Sequence, residues 1–307
     1  MNSEESMIQA LPPLMLRRDE KTHKGDFGTL TVVAGSSYFR GAAALAVKAA
    51  LRSGAGIVRL ASVEPVIAAA AAKLDEVIFL PLKTGLSGGI EADDCLRKIA
   101  TVRSDAVLAG CGMTDSPDTE KIVRGLLEQS SCPLVLDADA LNSLKGEPSV
   151  LRKAAVLPIV TPHIGEMARL TGLSPVGIVS DREKTALAFA AQFHTVVVLK
   201  DYQTVVASPD GEILRAGVPN SGLAKGGSGD VLAGIVGSLL CQGFEPYRAA
   251  CAGVLIHALA GQAARRFRTA RGMLPSDLPD ALPLVFGAVE DMIRSGDAPE
   301  EADRPTE

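Results

Sequence analysis

Residues 220–234, NSGLAKGGSGDVLAG, place four glycines and one aspartate between Gly222 and Asp230, directly ahead of the apolar run VLAGIVGSLL. Flexible linkers are equally glycine-rich, but they do not lead straight into a hydrophobic helix. Gly226, Gly227 and Gly229 allow backbone geometries and close approaches that a Cβ would forbid. Their amides, followed by a helix N-terminus with its partial positive charge, make a cradle for an anion such as a transferring phosphoryl group. Asp230 stands at the mouth of that cradle. There the helix end is expected to keep it ionised and able to accept a proton from an attacking hydroxyl. In the plainer reading Asp230 caps the helix and the glycines make a tight turn, although a cap needs one glycine or none. No GxxxxGK[ST] occurs and Lys225 precedes the glycine pair, so this is not a Walker A loop.

Such a site needs a scaffold, and the chain supplies one by alternation. TLTVVAG (29–35), GIVRLAS (56–62), DAVLAG (105–110), PLVLDAD (133–139), VLPIVTP (156–162) and TVVVLK (195–200) are short apolar runs, separated by helical patterns. Continuous apolar strands between helices predict a largely parallel sheet covered on both faces. Beyond residue 200, TVVASPDGEILRA (204–216) reads as a hairpin about Pro-Asp-Gly, antiparallel to the sheet. Three helical stretches follow, near 230–241, 246–267 and 279–294. Ligands of such sheets sit beyond the C-terminal ends of the strands. GSSYFRGAA (35–43), AGCGMT (109–114), DADAL (137–141) and TPHIGE (161–166) are therefore expected to converge with 220–230.

Composition narrows the classes. The 307 residues are 47% hydrophobic and 22% charged, with no Trp and few aromatics, so an aliphatic core is expected. A net charge of −5 without a basic block argues against broad nucleic-acid or anionic-membrane binding. Five scattered cysteines without a CxxC pair read as reduced cytoplasmic thiols. The acidic N-terminus lacks the pattern of a signal peptide. The apolar stretches 231–241 and 249–261 fall short of the ~18 residues of a membrane span and read as buried helices. Residues 1–24 are expected to be a flexible segment, 25–295 a single catalytic domain, and 296–307 a disordered acidic tail.

The segment N-x-G-x-A-x-G-G-x-G-D (Asn220 to Asp230) resembles the signature of the ribokinase-like superfamily. HKGDFGTLTVVAGS (23–36), RGAAALAVKAALRSGAGIV (40–58), PLVLDADALN (133–142), TPHIGEMARLTG (161–172), VVLKDYQTVVASPDG (197–211) and SDLPDALP (276–283) extend it. As an ordered set these are similar to the ADP- or ATP-dependent NAD(P)H-hydrate dehydratases. The resemblance implies a ribokinase-like three-layer α/β sandwich. It also implies a metabolite-repair reaction in which NADH or NADPH hydrated at carbon 6 is phosphorylated and then loses phosphate, with ADP or ATP as co-substrate and Mg²⁺.

By the same resemblance Asp230 takes the proton from the substrate hydroxyl, while Gly227 and Gly229, with Gly226, hold the phosphoryl group. Lys200, Asp201, Tyr202, Gln203 and Thr204 match the nucleotide-binding loop, with Lys200 either meeting phosphate or remaining a solvated strand-end charge. His163 matches a histidine that binds the hydrated dinucleotide. Ala42, Ala43, Gly112 and Asn220 fall at substrate-site positions, the alanines having ordinary helix–sheet packing as their alternative. Asp137, with Asp139, either holds a metal-bound water or caps a helix, and Glu166 either caps its helix or helps to organise magnesium.

The chain departs from the family's pattern in four places. GCGMT (110–114) stands for GPGLG, KD (200–201) for KG, HIGE (163–166) for HPGE, and Ser221 for a glycine or another small residue. Asp201 adds negative charge beside a nucleotide phosphate. The resemblance also implies a homotetramer, with the alanine-rich helix at 249–264 as a candidate interface. Fewer residues precede the matched region than an epimerase domain needs, so a separate epimerase is the expected partner. Two other functions stay open: a small-molecule kinase of a vitamin precursor, which would share the anion pocket and the aspartate, and a nucleotide-binding regulator without turnover, favoured by Asp201 and the altered 110–114 loop.

Overall fold

A computed structural model of the chain describes residues 3–15, 18 and 20–295. The strands are β1 (Thr29–Val33), β2 (Ile57–Val63), β3 (Ile78–Leu82), β4 (Ala106–Ala109), β5 (Leu134–Leu136), β6 (Ile159–Val160), β7 (Val196–Leu199), β8 (Thr204–Ala207) and β9 (Ile213–Ala216). The helices are α1 (Glu4–Ala10), α2 (Arg40–Arg52), α3 (Glu64–Ala71), α4 (Ala92–Ile99), α5 (Pro117–Gln129), α6 (Asp139–Ser143), α7 (Ile164–Thr171), α8 (Pro175–Ser180), α9 (Arg182–Phe193), α10 (Ser228–Cys241), α11 (Pro246–Gly272) and α12 (Asp277–Ser295).

The strands form one sheet in the order β3-β2-β1-β4-β5-β6-β7-β8-β9. From β3 to β7 every pairing is parallel. β8 runs antiparallel to β7, and β9 antiparallel to β8, so of the expected hairpin only β8 opposes the sheet. The helices gather into two sets, α2, α3, α10, α11 and α12 in one and α4 to α9 in the other, each member touching its neighbours in the set. Strands β4, β5 and β7 are buried along their whole length because helices cover both faces. The chain leaves β1 toward β2 and β3, then returns to the other side of β1 with β4. This reversal opens a crevice beyond the C-terminal ends of β1 and β4.

β3 was not among the strands expected from the sequence. Pro81 lies within its run, which a sheet tolerates because β3 is an edge strand. Helix α10 lies against α2 so closely that a Cβ on Gly234 would stand 2.2 Å from the Ala46 carbonyl oxygen. The helical backbone of α11 breaks at Thr269, where φ is 62°, close to the expected end at 267. Its alanines, Ala249 to Ala264, are buried within the chain itself, so they do not form the exposed interface considered above. Among the described residues no helix is long and apolar enough to cross a membrane.

Within the segment expected to be flexible, residues 3–15 pack onto the fold. Ser3 caps α1, and Met7 and Leu11, one helical turn apart, are both fully buried. Arg248 of α11 donates to the carbonyls of Pro13, Leu14 and Met15, which ties the following turn down as well. The acidic tail expected over 296–307 lies outside the described residues. If α1 is part of the core, Met7→Ala should lower unfolding free energy by roughly 2–5 kcal/mol. Urea denaturation measures this, and an unchanged midpoint would return the segment to a loose tail.

Candidate active site

The end of β7 delivers Lys200 to the interior. Its ammonium lies 2.6 Å from Asp137 Oδ1, just past β5, and 3.9 Å from Glu166 Oε2 in the first turn of α7. Thr161, just past β6, donates to the same Asp137 oxygen at 2.6 Å. The Lys200 side chain is only 18% exposed, so it is not a solvated strand-end charge. Burial works to lower its pKa, but Asp137 and Glu166 outweigh this and hold it raised. Burial raises Glu166 above the ordinary carboxylate range, against the pull of Lys200.

Helix α10 starts directly over this pair. Gly227 is its N-cap with φ 107°, a conformation that favours glycine, and a Cβ there would stand 2.7 Å from Leu45. A Cβ on Gly229 would lie 3.3 Å from Lys200 Nζ, so the bare glycine is what admits the ammonium beneath the helix end. Gly226 is exposed, with open space about its Cα. The early N–H groups of a helix have no intrahelical acceptor. In this turn the Ser228 N–H is taken by the Lys225 carbonyl. His257 of α11 places Nε2 at 3.0 Å from the Ser228 carbonyl oxygen and 3.2 Å from its hydroxyl, bracing the turn. Burial lowers the His257 pKa to about 4, so the imidazole is neutral and donates to that carbonyl. Its only signal in the sequence is that it interrupts the apolar run 249–261.

Asp230 is half-buried in the first turn of α10. Its pKa is raised to about 7, first by burial and then by the neighbouring Asp137 charge, while Cys111 and Lys200 draw it down. Burial and the Asp137 charge thus work against the ionisation expected at the helix end. The Cys111 Sγ, Asp137 and Asp230 carboxylate oxygens lie within 4.8 Å of one another. Sequence reasoning missed this role for Cys111, which had read as one scattered thiol among five. Burial first, and then Asp230 and Asp137, push its pKa well up, so it is a thiol and a weak donor.

Around this centre the other candidates take distinct places. His163 Nδ1 accepts from the backbone N–H of Gly165 and Glu166, at 2.9 and 3.2 Å, and Glu166 accepts from His163 N at 2.8 Å. This reciprocal cap settles Glu166 as a helix cap and leaves the proton of a neutral His163 on Nε2, on a half-exposed side chain. Burial, then Lys200 and Arg169, lower the His163 pKa. Asp139 accepts from the Thr114 N–H at 2.8 Å and so anchors the 110–114 loop. Ala138 and Thr114 have φ of 49° and 76°, so backbone strain is concentrated beside Asp137. Gly112, with φ 65°, faces Ala42 and Phe39, whereas Ala43 is fully buried and belongs to the core.

Asn220, expected at the substrate site, uses its amide within the protein. Its Nδ2 donates to the Gly261 carbonyl of α11 and its Oδ1 accepts from Gly222 N, so one end of the amide ties the loop to α11 and the other closes the loop's own turn. Residues 200–204 turn between β7 and β8 at the same end of the sheet as Asp230. Tyr202 is exposed there, and the Thr204 hydroxyl donates to the Asp201 carbonyl at 3.3 Å. The Asp201 carboxylate is paired with Arg182.

The residues expected to bind Mg²⁺ do not fit a directly coordinated ion. Lys200 stands between Asp137 and Glu166, where the ion's charge would be, and both carboxylates already accept hydrogen bonds. The buried thiol of Cys111 is a poor partner for a hard cation. A cavity of about 410 Å³ opens at the opposite, N-terminal end of the strands, lined by Gly25, Gly28, Asp105, Pro133 and Leu240 among others, and holds none of these groups. Lys200→Met would leave two buried carboxylates without their cation, and the stability loss should be roughly 3–5 kcal/mol. Chemical denaturation tests this, a loss below about 1 kcal/mol being what a solvated lysine would give.

The profile of the NAD(P)H-hydrate dehydratase family matches residues 30–284. The ADP-dependent (S)-NAD(P)H-hydrate dehydratase of Neisseria meningitidis is 37% identical over 286 residues, covering 91% of this chain and 93% of that one. The bifunctional NAD(P)H-hydrate repair enzyme of Moorella thermoacetica is 38% identical over 282 residues, 91% of this chain and 53% of that one. The chain thus spans about half the length of the bifunctional relatives it matches. The crystal structure of the ADP/ATP-dependent NAD(P)H-hydrate dehydratase from Bacillus subtilis, co-crystallised with ATP/Mg²⁺, superposes with a TM-score of 0.79 at 32% identity, covering 94% of this chain and 97% of that one. The three-layer sandwich is ribokinase-like, as expected. On a match of this length and identity, the chain belongs to the NAD(P)H-hydrate dehydratase family.

Proposed function

We propose that this chain dehydrates the S-epimer of hydrated NADH or NADPH at the expense of ADP or ATP. The observation that carries the reading is Asp230, half-buried at the start of α10, with a pKa of about 7 that suits a general base near neutral pH. The substrate's 6-hydroxyl gives its proton to Asp230 as the oxygen attacks the terminal phosphorus of the nucleotide, which departs one phosphate shorter. The Gly227–Gly229 turn faces the charge that develops on the phosphoryl oxygens. Hydroxide leaves carbon 6 poorly and phosphate leaves well. The adjacent ring nitrogen pushes the carbon–oxygen bond apart, and loss of a proton from carbon 5 restores the ring double bond. Half-exposed His163, and Ala42 with Gly112, are the residues proposed to meet the dinucleotide.

Magnesium enters this reading only as a companion of the nucleotide phosphates, without a place on Asp137 or Glu166. The names of the relatives from Neisseria and Bacillus support the nucleotide and the substrate. A reducing, cytoplasmic setting is proposed from the free cysteines. The tetramer and a functional coupling to an epimerase activity are proposed from the family resemblance.

Incubation with hydrated NADH and either ADP or ATP should restore reduced-nicotinamide absorbance and release phosphate. A stable phosphate ester would instead identify a small-molecule kinase. Asp230→Asn should lower kcat by about 10²–10⁴-fold while leaving the urea midpoint unchanged or higher, since it removes a buried charge. Because the base works only when deprotonated, kcat/KM should rise with pH through about 7 and level off above it. A profile that falls across that range would remove Asp230 from the base role.

A further inference from the structure

Asp201 places a carboxylate next to Lys200 in the loop read above as the nucleotide site. An unpaired carboxylate there would oppose a phosphate. Its charge, however, is fully engaged. Arg182, the first residue of α9, donates from Nη1 to Asp201 Oδ2 at 2.6 Å, and the other carboxylate oxygen accepts from the Tyr202 N–H at 2.8 Å. The same guanidinium lies 4.8 Å from the Tyr202 ring centroid and donates from Nη2 to its hydroxyl at 3.3 Å. Arg182 and Asp201 are both largely buried, with side chains 16% and 25% exposed, so solvent screens the pair little. Burial works to lower the Arg182 pKa, but Tyr202 and Asp201 outweigh it and hold it raised, so the partner stays charged.

We propose that Arg182 is a positioning residue for nucleotide binding, which neutralises Asp201 and holds the Asp201–Tyr202 turn in the shape that accepts a nucleoside di- or triphosphate. The inference rests on residues 200–204 receiving the nucleotide. It explains how an acidic side chain is tolerated where glycine is common in the family: Asp201 keeps an ordinary φ, and its added charge is cancelled from α9. A lysine at 182 would keep the charge but lose the two-pronged geometry.

The test is a double-mutant cycle read by equilibrium binding of ADP and of ATP, together with KM and kcat in the repair assay. Arg182→Ala should weaken nucleotide binding and raise the nucleotide KM by about tenfold, with kcat little changed, while in the Asp201→Gly background the same substitution should cost less than about twofold. Arg182→Lys should fall between. If Arg182→Ala proves unstable, the comparison of Arg182→Lys with and without Asp201→Gly carries the same coupling. Equal losses in both backgrounds, or no loss in either, would overturn the brace while leaving the nucleotide site in place. A wild-type chain that binds neither nucleotide would remove that site and the brace with it.

Discussion

A single buried ammonium holds the charges of the site in balance. Lys200 touches Asp137 directly, stands within 4 Å of Glu166, and draws down the pKa of Asp230 from below the α10 helix end. Three carboxylates against one lysine is an excess of negative charge in a region that water barely enters. The raised pKa values of Glu166 and Asp230 reflect that excess: burial and the neighbouring carboxylate charge make each harder to ionise. The same imbalance that makes Asp230 costly to ionise poises it to exchange a proton near neutrality.

The sheet makes this convergence possible. Lys200, Asp137, Thr161 and the 110–114 loop all stand at strand ends that are neighbours in space though far apart in the chain, because the parallel strands deliver every C-terminus to one edge. The helix that closes the site from above is held by close contacts where side chains are absent. Gly234 lets α10 meet α2, and Gly229 leaves room for the lysine. His257 then braces the first turn from α11. The strained φ angles of Ala138 and Thr114 lie at the same edge, where strain is maintained by anchors such as the Asp139 carboxylate.

Departures from the family's motifs become intelligible once their neighbours are known. Asp201 had favoured a regulator without turnover, yet its charge is met by Arg182, nineteen residues earlier in the chain. Cys111, in place of the family's proline, contributes a thiol to the carboxylate cluster. Asn220 and Glu166 matched binding positions in the sequence but spend their polar atoms on the loop and the helix cap.

The strand and helix order was legible because apolar runs of strand length alternate with helical ones, and the glycine–aspartate segment announced a helix start. β3 escaped because a proline at a sheet edge breaks the pattern that reveals central strands. Met7 and Leu11 escaped because Pro12 and Pro13 cut the apolar pattern of 7–15 off before it repeats as a helical period. Local chemistry therefore determined which residues form elements and which could handle protons and phosphate. Only the tertiary structure decided how those groups behave: that Asp230 is poised near pH 7, that Lys200 is an internal cation, and that Arg182 answers Asp201. Charge and burial at a point depend on every element meeting there, and no stretch of sequence contains them all.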